Sequence, residues 1–157
     1  MAKPTHADAE LLLHLYEVRR EPELRRARQW FLTEFKVASW SEIKARYLSH
    51  SEEDRWFRMT TSYWEMVATL VNRGALNAEL FFDHTGEDIV TWERCKAWIA
   101  EARADIRPTY LYQFERLVAE HQAFRKRTIA AFQSNGASAE NGTKKVRPKR
   151  RAAGARR

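Results

Sequence analysis

The chain has 157 residues, the length of one ordinary domain, with 28 Lys and Arg against 21 Asp and Glu and a net charge of +7. Residues 134–157 hold eight of the bases (Lys144, Lys145, Arg147, Lys149, Arg150, Arg151, Arg156 and Arg157) and one acid, Glu140, which leaves 20 bases and 20 acids in residues 1–133. The positive excess therefore belongs to the C-terminal segment, and the body cannot be read as a basic binding domain.

Residues 1–133 contain only two glycines, Gly74 and Gly86, and three prolines, Pro4, Pro22 and Pro108. Punctuation this sparse suits helices with short connections. In chain order, Leu11, Leu12, Leu15 and Tyr16 form a first stripe that ends at Arg19-Arg20-Glu21-Pro22. Pro22 and Glu23 suit the first turn of a second helix, continued by Leu24, Ala27, Trp30, Phe31 and Phe35. Ser39 with Glu42 is spaced as a capping box for a short helix through Ile43 and Tyr47. Ser49 with Glu52 repeats that spacing before the longest stripe: Trp56, Thr60, Tyr63, Trp64, Val67, Leu70 and Val71. Gly74 stands where a helix ends in a left-handed residue. Asn77 to Phe82 reads as one helical turn or a loop, and Asp83 to Asp88 as a turn before another helix. Spacings of three and four then predict one helix through Trp92, Cys95, Ile99, Ala102 and Ile106. Arg107-Pro108-Thr109 breaks it, and a last helix runs from Leu111 through Phe114, Leu117, Val118, His121 and Phe124 toward Phe132.

No stretch alternates with period two, so the expectation is an all-α, compact bundle of five to seven helices with short loops over residues 1–133. From Ser134 the aromatics vanish and Val146 is the only large aliphatic, which predicts a disordered polybasic tail over 134–157. One cysteine, Cys95, excludes an internal disulfide and a Cys-pair zinc site. No apolar run approaches the ~18 residues of a membrane span, so no integral membrane segment is expected. No basic stretch followed by an apolar one suggests a secretory leader, and a cytoplasmic location is the default.

Candidate chemistry is thin. His14 lies near Glu10 and Glu17, but the Glu-x-x-His pairs of a di-metal bundle are missing. Asp83 to Asp88 gathers acids around Gly86 without the spacing of a calcium loop. His121 sits on an apolar stripe, as a core-edge histidine with a hydrogen bond would, and Cys95 reads as an inert buried thiol. Glu65, with Arg58 and Asn72 on adjoining helical positions, suggests a polar seam: an ion-pair seam, the rim of a ligand pocket, or a solvated helix edge. No glycine-rich phosphate loop or nucleophile elbow occurs, so no catalytic, cofactor-binding or metal-binding residue is assigned and no cofactor is expected. Lys144 to Arg151 place six charges in eight residues, and such runs bind nucleic acid or another polyanion without sequence preference.

Leu15-Tyr16-Glu17-Val18-Arg19-Arg20-Glu21-Pro22, Ser62-Tyr63-Trp64-Glu65-Met66, Asn72-Arg73-Gly74, Leu80-Phe81-Phe82-Asp83 and Gly86-Glu87 resemble a family of short all-helical bacterial proteins of unknown function. The resemblance covers about residues 9–125 and implies a small helical fold and a bacterial source, with no activity to transfer. The leading expectation is a non-enzymatic helical interaction module whose tail attaches it to a polyanion, with a protein partner also open. The alternative is a small-ligand or metal-dependent enzyme with its site inside the bundle.

Overall fold

The computed structural model describes residues 3–48 and 50–143, with side chains as far as Ser134. They form eight helices: α1 (His6–Arg20), α2 (Pro22–Thr33), α3 (Trp40–Arg46), α4 (Glu52–Asn72), α5 (Ala78–His84), α6 (Glu87–Glu93), α7 (Ile99–Asp105) and α8 (Tyr112–Thr143). Among the described residues there is no strand, so the fold is all-α, with eight helices where the periodicity predicts five to seven.

The added helix comes from one place. The single helix expected from Trp92 to Ile106 is two, α6 and α7, joined by turns in which Arg94 bonds back to Thr91, Cys95 to Trp92 and Trp98 to Cys95. These are three-residue turns, tighter than an α-helix. Trp92, Cys95 and Trp98 are all buried at that period of three, so the apolar spacing continues across a break in the helix. Arg94 fixes the break, because its guanidinium donates to the Phe35 carbonyl (3.2 Å) and the Leu32 carbonyl near the end of α2. Ile106, expected on the stripe, lies past the end of α7 and is exposed.

Helix ends follow local chemistry with two shifts from expectation. Ser39 Oγ accepts from Glu42 N–H (3.2 Å), but the Glu42 carboxylate reaches the Ala38 N–H (3.1 Å) rather than Ser39, so the capping box is displaced by one residue. Ser49 lies outside the described residues. The cap of α4 is Ser51, which accepts from Asp54 N–H (3.3 Å) while Asp54 accepts from His50 N–H (3.2 Å). His50 takes a positive φ of 58°, the turn that lets α4 start after it. Gly74, at φ 74°, closes α4 as expected, with its N–H on the Val71 carbonyl and that of Ala75 on Leu70.

The chain divides into two units, Met1–Phe124 and Arg125–Arg157, a boundary nine residues before the one composition suggests. In the first, α2 lies along α4, and their rings interlock: Phe31 stacks on Phe35 at 4.6 Å, and Phe35 meets Phe57 at 5.6 Å. Trp64 stacks on Phe114 at 5.8 Å, and Trp92 meets the same ring edge-on at 5.2 Å, so these three share one core. In the second unit, the α8 backbone runs to Thr143, ten residues into the segment composition marks as tail, and every side chain from Arg125 to Ser134 is exposed.

Candidate functional site

The seam predicted from Arg58, Glu65 and Asn72 is a helix-capping site. Leu111, the residue before α8, has φ 52° and no side-chain oxygen to receive the first N–H groups of the helix. Glu65 reaches across from α4 instead: Oε2 accepts from Phe114 N–H (2.8 Å) and Oε1 from Gln113 N–H (3.2 Å). A carboxylate at a helix N-terminus meets both unsatisfied donors and the positive end of the macrodipole. Two turns along α4, the Asn72 amide donates to the Gln113 carbonyl and to Gln113 Oε1, both at 2.9 Å. Arg58 pairs instead with Asp54 one turn earlier, at 2.7 Å. Arg58 and Glu65 meet only as walls of a shallow cleft of about 360 Å³, shared with Thr61, Arg107, Tyr110 and Leu111. Burial pushes the Tyr110 phenol up from its ordinary range.

Two further polar constellations tie helices together. Glu87, the first residue of α6, accepts from Arg19 Nη2 at the end of α1 (2.6 Å) and from Arg28 Nε in α2 (2.5 Å), with Arg28 Nη2 as a third donor. Arg28 also donates to the Arg19 carbonyl at 2.9 Å. All three side chains are at most 21% exposed, so this triad locks α1, α2 and α6. Sequence reading passed over it because Arg19 and Glu87 are 68 residues apart. Its only legible sign was an acid at a helix start.

The second constellation is Asp88 with His121, at 2.7 Å and both fully buried. The Phe82 ring stacks on the imidazole at 4.6 Å. His121 is thus hydrogen-bonded as expected, yet it lies inside the core rather than at its edge. Asp88 Oδ1, His121 Nε2 and the nearby-in-sequence Thr91 hydroxyl make no hydrogen bond. A buried imidazole with one nitrogen taken and an aromatic on its face positions helices, and nothing opens it to a substrate.

The other singled-out residues separate. His14 lies 3.8 Å from Glu17, and both are largely exposed. Among the described residues no three His, Cys, Asp or Glu side chains gather as metal ligands do. Cys95 is buried, and burial raises its thiol far above the ordinary range, as expected of an inert cysteine. Asp83 is exposed in the last turn of α5, while Glu87 and Asp88 are engaged as above in the first turn of α6, so the turn expected over Asp83–Asp88 shrinks to Thr85 and Gly86. The polyanion-binding candidates Lys144, Lys145, Arg147, Lys149, Arg150, Arg151, Arg156 and Arg157 lie outside the described residues. Among the described residues no helix is long and apolar enough to cross a membrane.

The residues that carry the family resemblance are largely these locks. Tyr63 donates to the Leu15 carbonyl (3.1 Å), Glu21 caps α2 through Leu24 N–H (2.8 Å), and Arg19, Glu65, Asn72, Phe82 and Glu87 act as described. The profile of a family described as a domain of unknown function, DUF4760, matches residues 4–121. No curated protein and no solved structure matches the chain.

Proposed function

Because the chain belongs to the DUF4760 family, whose function is unknown, its role has to come from its own chemistry, and we propose a non-enzymatic helical module held to a polyanion by its basic C-terminal segment. One observation carries this reading: three carboxylates withdrawn from water, those of Glu65, Glu87 and Asp88, are engaged in holding helices together. Both oxygens of Glu65 accept from the α8 backbone, and both oxygens of Glu87 accept from guanidinium groups. Asp88 holds His121. A general acid or base needs a group free to exchange a proton with a substrate, and these three are already committed to packing.

The charge distribution supports the attachment half of the proposal. Eight bases in residues 144–157, with no acid among them, attract nucleic acid or another polyanion through counterion release. The module works in the cytoplasm, where a protein partner can use the exposed surface of the helices.

The test is a salt titration of the full chain against labelled duplex DNA. If all eight bases met phosphates, log K would fall against log salt with a slope near −7, at ~0.9 per contact. A tail engages only part of its charges at once, so the expected slope is about −3 to −4, with affinity independent of base sequence. An affinity that ignores salt, or one that depends on base sequence, would refute the proposal.

A further inference from the structure

We infer that residues 125–134 of α8 seat the chain on an anionic lipid surface, with Ile129 and Phe132 entering the headgroup boundary and the neighbouring cations meeting the lipid phosphates. The inference rests on the attachment proposed above and names its target.

The observation is an apolar pair left in water among cations. Phe132 is 80% exposed and Ile129 56%. Arg125, Ile129 and Phe132 follow one another at helical spacings of four and three, so they share one face of α8. Lys126 falls on one flank and Arg127 on the opposite face, and the long Arg125 stem can lie along the apolar face with its charge at the interface. Within the first unit α8 buries Phe114, Leu117, Val118 and His121, whereas Ile129 and Phe132 are exposed.

Charge decides between occupants. Residues 125–157 hold eleven bases and one acid, Glu140. A second copy of this helix would bring together two segments that each carry this excess of positive charge, which like-charge repulsion opposes. A nucleic-acid duplex takes the cations but offers no apolar layer for Ile129. An anionic bilayer offers both, and a basic helix with an apolar face has that chemistry. Each basic residue near such a surface strengthens attachment about five-fold, and two kinds of contact are what stable interfacial binding needs.

The experiment uses the full chain with two vesicle types, phosphatidylcholine alone and phosphatidylcholine with one third phosphatidylserine, and with duplex DNA in parallel. Binding is expected to the phosphatidylserine vesicles and not to phosphatidylcholine alone. The double variant Ile129→Ser with Phe132→Ser should weaken vesicle binding about ten-fold or more, while duplex affinity stays within about two-fold. Both positions are exposed, so the melting temperature should not move. Vesicle binding unchanged by the double variant, or equal losses on vesicles and duplex, would overturn the inference. Duplex binding without vesicle binding would overturn it too and leave the polyanion proposal standing, whereas a chain that binds neither would remove both.

Discussion

Residues 1–124 carry 17 basic and 20 acidic side chains, whereas residues 125–157 carry eleven and one. In the first unit charges are used in pairs: Glu87 with Arg19 and Arg28, Asp54 with Arg58, Arg103 with Glu115 at 2.7 Å. In the second, three consecutive cations stand on an exposed helical stretch with no acid before Glu140. The same residue types therefore do different work. Where opposite charges are matched across helices they fix the fold, and where one sign dominates the proposed attachment finds its charges.

Breaking the first unit should cost much, and the largest effect should come from its core. Trp64 is 1% exposed against Phe114, and Trp64→Ala should lower unfolding free energy by about 3–5 kcal/mol in urea denaturation. A loss below about 1 kcal/mol would mean the core lies elsewhere. Glu87→Ala strands two part-buried guanidinium groups and should cost about 3 kcal/mol, while Arg55→Ala, at a largely exposed pair, should stay within about 0.5 kcal/mol. Equal effects at the two sites would erase the distinction between locking and surface charge.

Alkali gives a comparable handle. The Tyr63 phenol is pushed up to about 12, chiefly by burial, against an ordinary value of 10.0. A folded value above the unfolded one means full stability below pH 10 and a progressive loss as pH rises toward 12. The loss from this residue is on the order of 2 kcal/mol, and Tyr63→Phe should remove it from the pH profile. An unchanged alkaline limb in Tyr63→Phe would contradict the buried placement of the ring. Smaller again, Glu65→Ala should cost about 1 kcal/mol, the loss of one helix cap, with no change in polyanion affinity.

Much of the fold was legible because it is local. Gly74 marked the end of α4, Pro108 lay in the break before α8, and the stripe through Tyr63, Trp64 and Val67 gave the longest core helix. The division between α6 and α7 was not legible, since apolar spacings of three and four fit both a continuous helix and the tight turns that Arg94 pins. The site was less readable for the same reason turned around. Glu65 was conspicuous as a carboxylate among small polar residues, but its partners are backbone N–H groups 48 and 49 residues away, and backbone donors leave no mark in a side-chain pattern. The pairing of Asp88 with His121 is likewise a tertiary contact, visible beforehand only as a histidine on an apolar stripe.

The contrast between a charge-matched unit and a one-signed segment proposed to act outward is tested most directly by the affinity ratio of the full chain and a chain ending at Gln133 for the same duplex at physiological salt. The account predicts that the shortened chain, with 20 bases against 20 acids, loses binding by at least about 100-fold while its melting temperature stays within a few degrees. A shortened chain that holds the duplex as tightly as the full one would contradict it and place the binding surface on the helices.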